Sequence, residues 1–368
     1  MTRPTASIVG VFLWLLFPLT LLADSDVEKL IRQTGIKEGP DVVRDMPGWA
    51  TPDKILVREL TPGFVDGLRR AFPDVEFVAV PSHGEALRHA ADADAIVGFC
   101  SSDLLDAAVD ASWIQVFSAG VENCVALEQV GSAKVVLTNM QKMSSPVLAE
   151  HAVAMIMALG RGLVSYGKQM ATGEWRRGGP AAPSLQEISG KTLLVAGLGG
   201  IGTEVARRAA ALGMRVVGTR RSSREGPDFV DYVGLSSELH ELAAGADFIV
   251  NALPLTPETS GIFDQAFFAD AKQGSYFISV GRGASVVTDD LIEALETGQL
   301  AGAGLDVTDP EPLPADHRLW QMENVIITPH VAGRGGGRER HDMLTKENIR
   351  RFIAGDKLFN VVDPQRGY

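Results

Sequence analysis

Apolar and polar positions alternate along this chain in two interleaved rhythms. From Lys54 onward, short apolar runs at 55–57, 76–80, 95–99, 114–117 and 135–138 have the length of buried strands. The stretches between them, at 64–72, 85–90, 103–109 and 124–129, carry apolar residues at helical spacing. A repeated βα pattern predicts a parallel sheet covered by helices. Ser145 and Pro146 then offer an N-cap and a first helical residue for a helix from Val147 to about Gly160. That helix is apolar on nearly every face, so it must be buried, between domains or at a subunit contact.

A Gly-, Pro- and Ser-bearing linker at 172–189 separates this series from a second one, with strands expected at 192–196, 216–219, 248–252, 276–280, 304–307 and 325–328. After a glycine-rich run at 333–337, a last amphipathic helix at 340–353 predicts a return of the chain to the first domain. The expected class is α/β with two parallel-sheet domains. One comprises 54–145 plus 335–368, and the other, 146–334, is inserted within it. Residues 24–53 form a polar extension to which the pattern assigns no fold. Residues 1–23 look like a signal peptide or anchor: Arg3, an apolar run at 8–22, then Ala23-Asp24-Ser25. This predicts export or N-terminal anchoring. Cytosolic nicotinamide pools argue the other way, for a cytoplasmic protein translated from a start beyond Ala23.

The first strand of the second series runs into Gly197-Leu198-Gly199-Gly200-Ile201-Gly202, a G-x-G-x-x-G turn opening a helix whose apolar residues are Ile201, Val205, Ala209 and Leu212 before Gly213. Gly197 lets the chain leave the strand tightly, Gly199 lets the backbone approach a pyrophosphate, and Gly202 lets helix pack on strand. The helix start offers unpaired N–H groups and the positive end of a dipole, which suits an anion without any basic side chain. The next strand ends in Arg220-Arg221-Ser222-Ser223-Arg224. An NAD site usually places Asp or Glu there to accept from the ribose 2′-OH, whereas Arg220, Arg221 and Ser222 present donors and positive charge. NADP is therefore expected in preference to NAD.

Composition narrows the alternatives. The 368 residues, 45% hydrophobic and 22% charged, are those of an ordinary globular protein long enough for two domains. A formal net charge of −12 excludes broad nucleic-acid binding, which needs a basic footprint. Two cysteines, Cys100 and Cys124, exclude a Cys-rich zinc site, and no metal site is expected. Both follow predicted strand ends; spacing alone leaves their pairing open.

Three segments at predicted strand ends set charged groups beside glycine or proline: Val280-Gly281-Arg282-Gly283, Leu305 to Pro314 with Asp306 and Glu311, and Thr328-Pro329-His330. Open α/β sheets bind ligands at such ends. Together they supply a fixed cation for an anionic substrate, a titratable imidazole, and a carboxylate able to favour the protonated ring. Hydride transfer to a 2-oxo acid needs all three, because alkoxide character develops on the carbonyl oxygen and a proton must meet it.

On these motifs, with Ser118-Ala119-Gly120-Val121, Ala149-Glu150-His151 and Pro254-Leu255-Thr256-Pro257-Glu258-Thr259, the chain resembles the D-isomer-specific 2-hydroxyacid dehydrogenases from about Trp113 to His330. The resemblance implies an NAD(P)-dependent oxidoreductase of small 2-oxo or D-2-hydroxy acids, as a homodimer. In it Arg282 orients the substrate, Glu311 supports His330, and His330 is the general acid/base. It further implies that the amides of Ala119, Gly120 and Val121 bind the substrate carboxylate and that Asp306 holds the nicotinamide carboxamide, with Pro254, Thr256, Val280, Arg282 and His330 also around the cofactor. Glu122 stands where the family often has Asp. A non-catalytic dinucleotide sensor on the same fold is the competing class; such a protein has no physical need for Arg282, Glu311 and His330 together. His151 reads as packing or interface, and Met140 and Met143 as pocket lining or core filling.

Overall fold

A computed structural model describes residues 20–46, 48–132, 134–178 and 185–365, with side chains from Asp26 onward. The apolar leader at 8–22 lies almost wholly outside these residues. Two parallel sheets organise the chain. The first is built from β1 (Lys54–Val57), β2 (Glu76–Ala79), β3 (Ala95–Val97), β4 (Trp113–Gln115) and β5 (Val136–Thr138), in the order β2-β1-β3-β4-β5. The second holds β6 (Thr192–Ala196), β7 (Arg215–Arg220), β8 (Tyr232–Leu235), β9 (Phe248–Asn251), β10 (Ser275–Ser279), β11 (Leu300–Leu305) and β12 (Val325–Ile327), in the order β12-β11-β10-β9-β6-β7-β8. Counted from β6, the second order contains the doubly wound dinucleotide-binding arrangement, with its switch point between β6 and β9. The nucleotide domain lies within the substrate domain in sequence, as the pattern predicts. The central strands β1, β3, β4, β9 and β10 are buried along their whole length, as a sheet covered on both faces requires.

Several expectations need correction. Ser145 is the first residue of the helix Ser145–Gly160, not its cap; Ser144 occupies the cap position without capping, because its hydroxyl bonds to His341 instead. The strand expected at 304–307 is Leu300–Leu305. Its alanines and glycines have little strand propensity, but they allow close packing: a Cβ on Gly304 would lie 2.9 Å from the Met155 sulfur. Asp306 and Val307 are therefore beyond the strand, at its carboxyl end. The stretch 124–129 is two short helical turns, Glu122–Val125 and Glu128–Gly131. Leu212 is 42% exposed at the end of its helix and does not share the buried face of Val205 and Ala209. The sequence reading also missed the helix Leu163–Thr172, which has no buried side chain, and the edge strand β8. Cys100 and Cys124 are joined as a disulfide, with Cα atoms 6.0 Å apart.

The final helix, Arg338–Ala354, returns to the first sheet as expected and is keyed to it by buried polar groups. Gln115 in β4 donates to Thr345 Oγ1 (2.9 Å) and accepts from Asn348 Nδ2 (2.8 Å), while Trp113 stacks at 5.0 Å from Phe352. The extension, unassigned from sequence, begins as a helix, Thr20–Thr34, against this final helix. Leu30 and Ile36 bury themselves with Met140, Met143, Leu344 and Phe359, so the two methionines are core and not pocket lining.

His341 sits at this seam, its Nε2 3.1 Å from Ser144 Oγ. Burial, with Arg338 and Arg340 beside it, pushes the imidazole from its usual 6.5 down to about 4. A folded-state value below the unfolded one means that the unfolded chain takes up the proton first. Stability from this site is therefore full above pH 6.5 and drains away as pH falls towards 4. His341→Asn is expected to flatten the decline of Tm across that window. Parallel Tm profiles for the two proteins would show that another group sets the acid limit.

Candidate active site

The carboxyl ends of the parallel strands gather the chemistry-bearing residues, because each strand is followed there by a loop free to carry polar groups. The dinucleotide turn follows β6. Gly197 has φ +92°, and a Cβ on it would lie 2.9 Å from Leu253 Cδ2. A Cβ on Gly202 would lie 2.0 Å from the Gly197 carbonyl oxygen, so only glycine lets the helix Gly200–Ala211 start so close to its strand. Nothing lies within 4 Å of a Cβ built on Gly199, which leaves the backbone open to a ligand. Gly200 and Ile201 begin the helix whose N-terminus faces that space. The turn is pinned to β7 through Leu198 N on Thr219 O (2.8 Å) and Gly197 N on Thr219 Oγ1 (3.2 Å).

Arg220 is the last residue of β7, and its Nε is buried without a partner among the described residues. Arg221 and Ser222 follow. Ser223 closes the turn by accepting from Glu225 N (3.0 Å). Arg224 is turned away, paired with Glu238 and Tyr232, and these partners with the Leu235 amide hold the Glu238 carboxyl down at about 2. On the other side of β6, Thr259 shapes the loop after β9: its hydroxyl donates to the Pro254 carbonyl (2.6 Å) and accepts from Thr256 N (2.8 Å). The open backbone at Gly199, the helix start and the orphaned Arg220 Nε fit a dinucleotide phosphate group.

Val280 is buried at the end of β10, and Arg282 follows. A Cβ on Gly283 would lie 1.9 Å from the Thr308 carbonyl oxygen, so the loop can turn there only with glycine. Arg282 spans to the first domain. Its Nε donates to Glu122 Oε1 (3.2 Å), its Nη1 to the Gly281 carbonyl (3.0 Å), and its Nη2 lies 2.1 Å from where a Gly120 Cβ would be. The loop it meets is fixed from below. Ser118 Oγ donates to the Gly120 carbonyl (2.6 Å) and Asn139 Nδ2 to the Ala119 carbonyl (2.9 Å). With both carbonyls held, no acceptor among the described residues is paired with the amides of Ala119, Gly120 and Val121.

His330 follows β12 in a left-handed conformation, φ +51°. Its Nδ1–H donates to Glu311 Oε1 at 2.5 Å, since an ionised carboxylate can only accept; the Nε2 edge of the half-exposed ring is left for a ligand. Asp306 is buried, and its carboxylate accepts from Thr328 Oγ1 (2.6 Å), Val331 N (2.9 Å) and Ala332 N (3.0 Å). A carboxylate has about four acceptor positions, so roughly one remains for a cofactor amide.

Sequence reasoning named Arg282, Glu311 and His330 but missed the group that holds Arg282, Glu122, and the two that hold the turns, Asn139 and Thr328. Asn139 carried a signal, a polar residue directly after an apolar strand. Other histidines are engaged away from the site: His83 with Asp103, His240 with Asp270, and His317 as acceptor for Leu319 N.

Comparison with known proteins agrees with this geometry. The family described as D-isomer specific 2-hydroxyacid dehydrogenase, NAD binding domain, matches residues 153–332. A glyoxylate reductase/hydroxypyruvate reductase of Homo sapiens is 34% identical over 259 residues, 69% of this chain and 78% of that protein. The structure of an NADPH-dependent glyoxylate/hydroxypyruvate reductase from Sinorhizobium meliloti, in complex with NADP and sulfate, has a TM-score of 0.74 at 31% identity, over 86% of this chain and 100% of that one. A D-isomer specific 2-hydroxyacid dehydrogenase from Xanthobacter autotrophicus, in complex with NADPH and MES, has a TM-score of 0.74 at 26% identity, over 87% of this chain and 100% of that one. A chain with this two-domain arrangement, and with relatives aligned over most of its length, belongs to the D-isomer specific 2-hydroxyacid dehydrogenases, an NAD(P)-dependent family of oxidoreductases.

Proposed function

We propose that this enzyme reduces a small 2-oxo acid, of the size of the glyoxylate and hydroxypyruvate named for its relatives, with NADPH as the preferred reductant. The observation that carries the catalytic part is the 2.5 Å contact between His330 Nδ1 and Glu311 Oε1. The carboxylate holds the ring through Nδ1–H, so Nε2 is the nitrogen left to face the substrate and to deliver the proton. The nicotinamide, when bound, supplies the hydride. As charge develops on the substrate carbonyl oxygen, His330 gives up the Nε2 proton to it, and Glu311 holds the ring in place throughout. Arg282 binds the substrate carboxylate together with the amides of Ala119, Gly120 and Val121. Glu122 takes the guanidinium's Nε and the Gly281 carbonyl takes Nη1, which leaves Nη2 directed at the loop.

Around the cofactor, we assign Gly197, Gly199, Gly200, Ile201 and Gly202 to the pyrophosphate, Arg220, Arg221 and Ser222 to a 2′-phosphate, and Pro254, Thr256, Val280 and Asp306 to the remainder. No acidic side chain ends β7, and Arg220 brings an unpaired, buried Nε to the place where an NAD site has its acid. We further propose a homodimer. The surface that supports it is the segment from Leu163 to Trp175, where Leu163, Met170 and Trp175 are 57%, 80% and 87% exposed.

Steady-state kinetics with glyoxylate and hydroxypyruvate test the assignments. His330→Ala is expected to lower kcat by ~10²–10⁴-fold with little change in KM, Glu311→Gln to do less, and Arg282→Ala to raise the KM for the 2-oxo acid as well. Full activity in His330→Ala removes that residue from the chemistry. Gly120→Ala forces a Cβ against Nη2 of Arg282 and Oε2 of Glu122, and it is expected to raise the 2-oxo acid KM ~10-fold or more while the NADPH KM holds. If both KM values stay put, the loop does not bind substrate. For the cofactor, kcat/KM is expected to favour NADPH over NADH, and Arg220→Asp to reverse that order. Equal use of both cofactors, or a preference untouched by Arg220→Asp, contradicts the assignment.

A further inference from the structure

His151 stands at the catalytic end and has no part in the mechanism above. It lies on the helix Ser145–Gly160, which enters the nucleotide domain and packs on the helix of the dinucleotide turn. Its side chain is one quarter exposed, and its Nε2 is 2.9 Å from Thr328 Oγ1 and 3.8 Å from Asp306 Oδ1. Thr328 Oγ1 is in turn 2.6 Å from Asp306 Oδ1.

The direction of each proton in this chain follows from the ends. A carboxylate can only accept, and Asp306 is 2% exposed, so a hydroxyl facing it without donating would set two acceptors together in a dry site. The single Thr328 hydrogen therefore goes to Asp306. That leaves the hydroxyl only its lone pairs for His151, whose Nε2 must carry the hydrogen and donate. Asp306 spends two further acceptor positions on the amides of Val331 and Ala332, directly after His330, and its backbone carbonyl accepts from His330 N (2.8 Å). These bonds hold a non-glycine residue at φ +51°, a left-handed conformation that persists only where the surroundings fix it.

We infer that His151 is a positioning residue for the proton donor: its Nε2–H fixes the Thr328 hydroxyl on Asp306, and Asp306 fixes the turn that presents the His330 ring. The inference rests on His330 being that donor. It gives the helix between the domains a direct hold on the geometry of proton transfer, with no contact between His151 and the substrate.

A double-mutant cycle on the whole protein, read in kcat and KM with glyoxylate and NADPH, tests it. His151→Leu and Thr328→Val are each expected to lower kcat ~10-fold while the NADPH KM stays within ~2-fold, and the double variant is expected to be no worse than the weaker single, because both break one chain of hydrogen bonds. His151→Gln, whose amide nitrogen can donate from nearly the position of Nε2, is expected to recover most of the rate. Losses that multiply in the double variant, a glutamine as impaired as the leucine, or an unaltered kcat in His151→Leu overturn the inference. Should His151→Leu not fold, an active His151→Gln beside an impaired Thr328→Val supports it, and equal activity of those two overturns it. His330→Ala in the same assay separates the two readings: if it stays active, the assignment of the donor fails, whereas an inactive His330→Ala beside a fully active His151→Leu sinks the positioning role alone.

Discussion

The catalytic end depends on one buried carboxylate. Asp306 sits just beyond β11, where a parallel sheet has run out of strand partners but not yet reached solvent, and three donors and its own carbonyl gather the chain after β12 around it. A buried charge with fewer donors is costly, so the carboxylate organises the backbone as strongly as the backbone organises the carboxylate. The left-handed turn at His330 is a consequence. It lets one residue point its ring to Glu311 while its amide faces back into the sheet.

The second dependence is between domains. Arg282 leaves the second sheet and is held on the far side by Glu122, so the two halves of the site share one guanidinium. The guanidinium, about one third exposed, is met by two acceptors, Glu122 Oε1 at Nε and the Gly281 carbonyl at Nη1, a fork geometry which a lysine does not reproduce. Within the first domain the final helix is fixed to β4, where Gln115, Thr345 and Asn348 satisfy one another in the core. A polar network of that kind specifies a unique docking of the helix, since any slip leaves a buried amide unpaired.

Local chemistry decided what could be read from sequence. The dinucleotide turn was legible because its demands are local, a positive φ at Gly197 and the close approach of Gly202 to Gly197 and Val195, and the strands were legible because burial on both faces leaves unbroken apolar runs. β8 was not, being an edge strand with an exposed tyrosine, and Leu163–Thr172 was not, because a helix without a buried face has no apolar stripe to detect. The roles of Glu122 and Thr328 were invisible for a different reason: each acts on a residue distant in sequence, 160 positions away for Glu122 and Arg282. The extension failed for the same reason, since Leu30 and Ile36 share their cluster with Met140, Met143, Leu344 and Phe359, all more than a hundred positions later.

That extension also bears on how an acidic protein presents a site for anions. Lys142, in the left-handed conformation, passes beside Gly200 and gives its ammonium to the Gly35 carbonyl of the extension. Burial lowers the ammonium below its usual 10.5, and Lys37 and Arg220 lower it further. A lysine so placed is destabilised by burial and by like charges, and no carboxylate is among the groups that shift it. Net charge governs solubility and long-range steering, whereas the local field in a cleft follows from its few nearest groups. A formal charge of −12 is therefore compatible with a locally positive field beside the dinucleotide turn, to which Lys37, Lys142 and Arg220 contribute.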